Sequence, residues 1–214
     1  MSRPRIRRLG VPDLHRLPPT CPTCPIGPER QPGLDPSANG AATWARAAEA
    51  DWGFCGLSLT QAERIVAYLL VSSPLHVPRA GPQSGFGLNP DAAVVMSIRV
   101  LPEYAGSGFG RQLVQAAAAR MTRTQFRALE VRGSHTSGAC AIPPVDFLEA
   151  VGFHMIDPHP LHPRLRLEFS RTARWAPNLA PALDRVLTWA RPLPPAEPAS
   201  RTQPQPRTGL GSHS

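Results

Sequence analysis

The sequence predicts an α/β fold: a mixed, largely antiparallel sheet of six or seven strands with helices on both faces. Three observations carry this. Short β-like apolar stretches alternate with stretches of helical periodicity through most of the 214 residues. Some strand-like segments follow one another across short connections, as hairpins do. One apolar strand runs through a glycine-rich turn straight into a helix, "LPEYAGSGFGRQL" at 101–113.

In chain order, "RIRRLGV" (5–11) is a first strand, followed by a turn or short helix in "PDLHRL". Residues 25–40, rich in Pro and Gly, form a long loop. "ATWARAAEADW" sets Trp44, Ala48 and Trp52 at i, i+4 and i+8, one helical face. "GFCGLSL" (53–59) and "RIVAYLLVS" (64–72) read as a hairpin joined by "TQAE". Loop follows over 73–92, then a buried strand at 92–100. The helix "GRQLVQAAAARM" (110–121) places Leu113, Ala117 and Met121 on one side. "FRALEVR" (126–132) alternates as a strand does. "PVDFLEAVG" (144–152) has Pro at its start and Gly at its end, the asymmetry of a short capped helix. "FHMI" and "RLRLEFS" pair around "DPHPLHP", and Leu179, Leu183, Val186, Leu187 and Ala190 line a last helix at 178–190. Residues 1–190 thus form one domain. Residues 191–214, with six prolines and almost no large apolar residue, form a disordered tail.

Composition narrows the function. Hydrophobic residues make up 42% of the chain, enough for a core. The longest apolar runs, such as "IVAYLLV" at 65–71, fall far short of the roughly 20 residues that span a bilayer. The basic N-terminus has no apolar stretch behind it, so no secretory signal is expected and the expected setting is cytoplasmic, with the four cysteines reduced. All 23 basic residues are arginine. Without lysine, neither a Walker-type phosphate loop nor a Schiff-base lysine can exist. The net charge of +8 sits mainly in the two ends: six arginines against two acids in residues 1–30, and three against one in 191–214. The nearly balanced centre offers no dedicated nucleic-acid face.

The glycines at 106, 108 and 110 have a chemical use. A helix N-terminus leaves backbone amides without intrahelical partners and carries a partial positive charge. Glycines let a phosphate approach those amides with no Cβ in the way. The turn therefore suits a pyrophosphate, with Arg111 adding charge. A dinucleotide-binding fingerprint does not fit. Counting from Gly106, the sixth position is Arg111, and the turn follows a late strand rather than the first.

"SIRVLPEYAGSGFGRQLV", followed some forty residues later by "FLEAVGF", resembles the GNAT acetyltransferase superfamily. The family pattern [QR]-x-x-G-x-[GA] falls on Ala105 to Gly110, with glycines at 108 and 110 in place and Ala105 where Gln or Arg is usual. "FLEAVGF" (147–153) resembles the second landmark, a helix-to-strand segment. The resemblance implies a GNAT-like fold and acetyl-CoA, or a related acyl-CoA, as co-substrate. It implies that the backbone of Ile98, Arg99 and Val100 pairs with pantetheine, and that the amides of Gly106, Ser107, Gly108, Phe109, Gly110 and Arg111 hold the pyrophosphate. It also implies acyl transfer by direct attack of an amine, on a small molecule or a protein, with no specific nucleic acid or membrane partner.

Two side chains common in the family are absent. Leu148 stands where a thiolate-protonating Tyr is frequent, and Ala141 where an Asn is. Glu130, on the strand beside the implied acyl site, is the candidate general base. Cys140 and His135 flank the same region. These departures support an alternative: a catalytically weak or inactive acyl-CoA-binding module of the same fold. Cys21 and Cys24, in "LPPTCPTCPIGP", have half the ligands of a zinc site. His159 and His162 have suitable spacing, but nothing in the sequence brings them near. No metal site is expected.

Overall fold

The computed structural model describes residues 3–18, 40–77, 87–136 and 142–172. The expected helix at 178–190, the tail, nearly all of the 25–40 loop, Cys21, Cys24, Cys140 and Ala141 lie outside these residues.

Seven strands form one sheet in the order β1-β2-β3-β4-β5-β7-β6. They are β1 (Arg5–Arg8), β2 (Gly56–Gln61), β3 (Arg64–Ser72), β4 (Ala92–Val100), β5 (Ala128–Arg132), β6 (His154–Asp157) and β7 (Arg164–Glu168). Every neighbouring pair is antiparallel except β4 and β5, which are parallel. A parallel pair needs a crossover, and helix α2 (Phe109–Met121) supplies it. The expected mixed, largely antiparallel sheet is what the chain forms.

The hairpin is tighter than the sequence suggests. β2 continues through Thr60 and Gln61, so only Ala62 and Glu63 turn the chain, at φ 48° and 63°. Two successive left-handed residues match the twist of flanking strands. The bulge between Leu59 and Thr60 lets the pairing absorb the odd residue.

Alternation on the strands sorts the two faces. Ala67, Leu69, Val71, Ala93, Val95, Leu129, Val131, Leu165 and Leu167 share one core with α2, α3 (Val145–Ala150) and Phe169 of α4 (Phe169–Thr172). Tyr68, Leu70, Val94 and Met96 face the other way, against α1 (Gly40–Trp52) and Leu14. Trp44 of α1 is buried there and donates its indole N–H to Ser72 Oγ at 3.2 Å, so its one polar atom is satisfied. Trp52 meets Phe54 and Phe126 edge-on, with centroids 5.8 and 5.4 Å apart. Helices therefore cover both faces. On the α1 side the described helix packs against β3 and β4.

Candidate active site

The site starts from a defect in the sheet. β4 pairs with β3 from Val94 to Val100 but with β5 over only Ala92, Ala93 and Val94, opposite Ala128, Leu129 and Glu130. Beyond that point the two strands part. β4 carries a bulge at Met96, between the pairs Leu70–Ser97 and Val71–Val95. β5 is drawn aside at its end by other partners. The Gly133 amide donates to Pro163 O, Ser134 N to Pro143 O and Val145 N to Ser134 O. The β4 edge that faced β5 is thus left open, and backbone donors and acceptors left open want partners.

An open groove of about 330 Å³ occupies the gap, lined by Ile98, Arg99 and Val100 on β4 and by Ile142, Pro143, Pro144 and Phe147 opposite. The two prolines have no N–H, so that wall can donate few amides to the β4 edge. All three residues expected to run beside pantetheine line this groove. The place of Pro143, Pro144 and Phe147 in the groove wall has no sign in the sequence, because it depends on α3 docking against β4.

The groove leads to the glycine turn. After β4, a single 3-10 turn (Pro102–Tyr104) reverses the chain. Gly106 and Gly108 adopt φ +74° and +79°, a region costly for other residues. A Cβ at either would meet nothing within 4 Å. Both glycines answer to backbone conformation and to open space above them, not to a close neighbour. Gly108 is the N-cap of α2 and offers no side-chain acceptor. The first helical bond is Gln112 N–H to Gly108 O, at 3.0 Å. The amides of Phe109, Gly110 and Arg111 therefore leave the helix start without an intrahelical acceptor. Gly110 serves differently: its missing Cβ would lie 2.9 Å from the Phe147 ring, so glycine lets α3 close on α2.

Side chains around the turn brace it. Tyr104 stacks on Phe109 at 5.8 Å, and Ser107 donates both its Oγ–H and its backbone N–H to Tyr104 O, so the Ser107 amide expected to hold the pyrophosphate is already engaged. Arg111 Nη2 donates to Ala150 O at 2.7 Å, tying the start of α2 to the carbonyl end of α3. At least part of the Arg111 charge is thus spent on α3 rather than held over the turn.

Where β4 and β5 part stands Glu130, opposite Val94. It is 1% exposed, not solvent-facing as strand glutamates usually are. Its Oε1 accepts from Arg166 Nη1 at 2.8 Å and from Asn89 Nδ2 at 2.5 Å. Its Oε2 is buried with no hydrogen-bond partner among the described residues. Arg166 also forks onto Asp91 at 3.1 and 2.9 Å and donates Nε to Glu168 at 2.6 Å. These carboxylates raise the Arg166 pKa, Asp91 most, and the Arg166 hydrogen bonds hold Asp91 below its ordinary value against a smaller effect of burial. Arg166 and Asn89 are not among the candidates the sequence offers. The only local hint was charge alternation in "RLRLE".

The remaining candidates scatter. Leu148 is buried in the core, so no polar group replaces the missing Tyr there. His135 is exposed. His159 and His162 stack with centroids 6.3 Å apart, and His159 Nδ1 accepts from two backbone amides. Among the described residues no group of three or more His, Cys, Asp or Glu could hold a metal, and no helix is long and apolar enough to cross a membrane.

A strand that splays from its parallel neighbour and feeds a glycine turn at an uncapped helix is a coenzyme-binding geometry. Residues 21–153 match the family model of the acetyltransferase (GNAT) family, and the chain belongs to that family. No curated protein matches it by sequence. Among solved structures, the PaiA N-acetyltransferase of Thermoplasma acidophilum in complex with coenzyme A superposes with a TM-score of 0.52 at 10% identity, over 78% of this chain and 99% of that one. YncA of Salmonella typhimurium, a putative acetyltransferase with its cofactor acetyl-CoA, gives 0.52 at 14% identity, over 78% and 94%. Ard1 of Thermoplasma volcanium gives 0.51 at 11%, over 77% and 97%. At these identities the likeness is one of fold.

Proposed function

We propose that the protein is an acyl-CoA-dependent N-acyltransferase that moves acetyl from acetyl-CoA to an amine by direct attack. The observation that carries this is the continuity of the open β4 edge with the uncapped start of α2. Amides of Gly106 and of Gly108 to Arg111 suit a pyrophosphate, and the backbone of Ile98 to Val100 suits an amide-rich arm. Family membership supports the same ligand. When bound, acetyl-CoA supplies an activated thioester carbonyl.

The chain's own contribution is position and proton handling. The groove brings the acyl carbon towards the parting of β4 and β5, where proximity alone can supply much of the rate. Glu130 stands at that parting. Its Oε1 is fixed by Arg166 and Asn89, and its buried Oε2 is left to take the amine proton, by way of a bridging water. Nothing at Leu148 returns a proton to the thiolate, so the leaving group is protonated from solvent. Calorimetry with acetyl-CoA tests the first half of the reading, and failure to bind at millimolar ligand ends it. Assay of free thiol release across an amine panel tests the second half. Glu130→Gln should lower kcat by about 10²-fold or more while coenzyme affinity stays within a few-fold.

A second reading keeps the coenzyme and drops the chemistry: a binding module of the same fold. The apolar Leu148 in the core favours it. Acetyl-CoA binding with no transfer to any amine in the panel would select this reading.

A further inference from the structure

The acyl-CoA reading leaves the acceptor undefined, and the inference here rests on that reading. Ile98 and Val100 pack on the α2 side of the sheet. Arg99 lies between them, so alternation turns its side chain to the opposite face, beside its cross-strand neighbour Tyr68, which is buried on that face. Arg99 also lines the groove. Its Nε is buried without a partner. No hydrogen bond or ion pair from the described residues reaches its guanidinium, and an unmatched buried donor calls for an acceptor from outside.

The carboxylates nearest in the fold are already engaged. Asp91, Glu130 and Glu168 surround Arg166, and Glu103 pairs with Arg64 at 3.2 Å. Further along the sheet Asp157 stands opposite Arg164 and acts on Arg132 against the effect of its burial, so that carboxylate too has cationic neighbours.

We propose that Arg99 binds a carboxylate carried by the acyl acceptor next to its amine, so that the acceptor is an amino acid or a similarly small amine with a neighbouring carboxylate. A planar guanidinium fork matches a carboxylate in two parallel hydrogen bonds. The carboxylate must be close to the amine because Arg99 is only a few residues along β4 from the bulge at Met96, at about 3.3 Å per residue. The coenzyme's pyrophosphate has its own partners past Val100, at the glycine turn.

Two conjugates test this. In each, the sulfur of CoA is joined through a –CH2–CO– bridge to the amine of glycine or of glycinamide, so that only the terminal carboxylate differs. By calorimetry the native protein should bind the glycine conjugate at least tenfold more tightly than the glycinamide conjugate. Arg99→Gln should bring the two within twofold. Equal affinities in the native protein would overturn the proposal whether or not the variant folds. So would a preference that survives Arg99→Gln. A loss of affinity for CoA itself as large as that for the glycine conjugate would assign Arg99 to the coenzyme instead, and also overturn it. If CoA and both conjugates all fail to bind, the acyl-CoA reading fails first and takes this inference with it.

Discussion

Glu130 and Arg166 depend on each other. Arg166 keeps only 11% of its side chain exposed and Glu130 2%, so removing the guanidinium strands a buried carboxylate. Arg166→Leu should destabilise the fold by about 3 kcal/mol or more, read from denaturant unfolding. Asp91, held low by Arg166, contributes stability that is present above its ordinary pKa of 3.8 and is lost as pH falls through its lower folded value. That acid-side loss should shrink in the same variant. Cys55 shows the opposite sign. Burial, with Glu49 beside it, pushes its thiol from 9.0 up to about 12. Its contribution is intact below about pH 9 and fades at roughly 1.4 kcal/mol per pH unit above that, as the unfolded thiol ionises and the folded one does not. Cys55→Ala should flatten this alkaline slope in unfolding curves measured from pH 8 to 11. At this scale the glycines were legible in the sequence because their role is local backbone conformation. The environment of Glu130 was not, because Asn89 lies 41 residues before it and Arg166 36 residues after, and nothing short of the sheet register joins them.

Elements were legible where pattern and punctuation agreed. β4 spans the expected residues, and α2 begins one residue early at Phe109, since Gly108 ends the turn with a left-handed cap. β5 starts at Ala128 rather than at Phe126, because Phe126 turns into the core against Trp52 before the ladder begins. The first strand stops at Arg8, where Gly10 caps a 3-10 turn through Asp13. The last strand gives way to α4 at Phe169, a boundary that alternation could not mark. The start of α2 is where sequence and chemistry can be separated experimentally. Gly108→Val puts a side chain into empty space, so its cost to folding should be the left-handed strain alone, about 1–2 kcal/mol. It should also weaken acetyl-CoA binding at least tenfold in Kd by calorimetry, because the new Cβ stands beside the free amides. Gly110→Leu should lower the melting temperature, because its side chain forces the Phe147 ring away.

For the whole molecule, the sequence indicated the layers but not the order of the strands. Hairpin logic accounts for β2 beside β3, and apolar alternation for a sheet buried on both sides. The pairing of β6 with β7 follows from the short connection between them, but the placement of β7 against β5 depends on a pairing between distant segments, Ala128 with Glu168, which no local signal encodes. The consequence of the short parallel contact is mechanical. Four strands on one side and three on the other share a strand ladder only over Ala92–Val94 and Ala128–Glu130, bolstered at its base by the Asp91–Arg166 and Asn89–Glu130 bonds, with α2 as a splint over one face. Such a geometry is a notch in a plate, and opening concentrates at its tip. Hydrogen exchange should find the amides of that seam less protected than those at the middle of β3. A molecule wedged into the notch would act as an adhesive between the two plates. Saturation with coenzyme should then slow exchange at the seam more than anywhere else in the sheet.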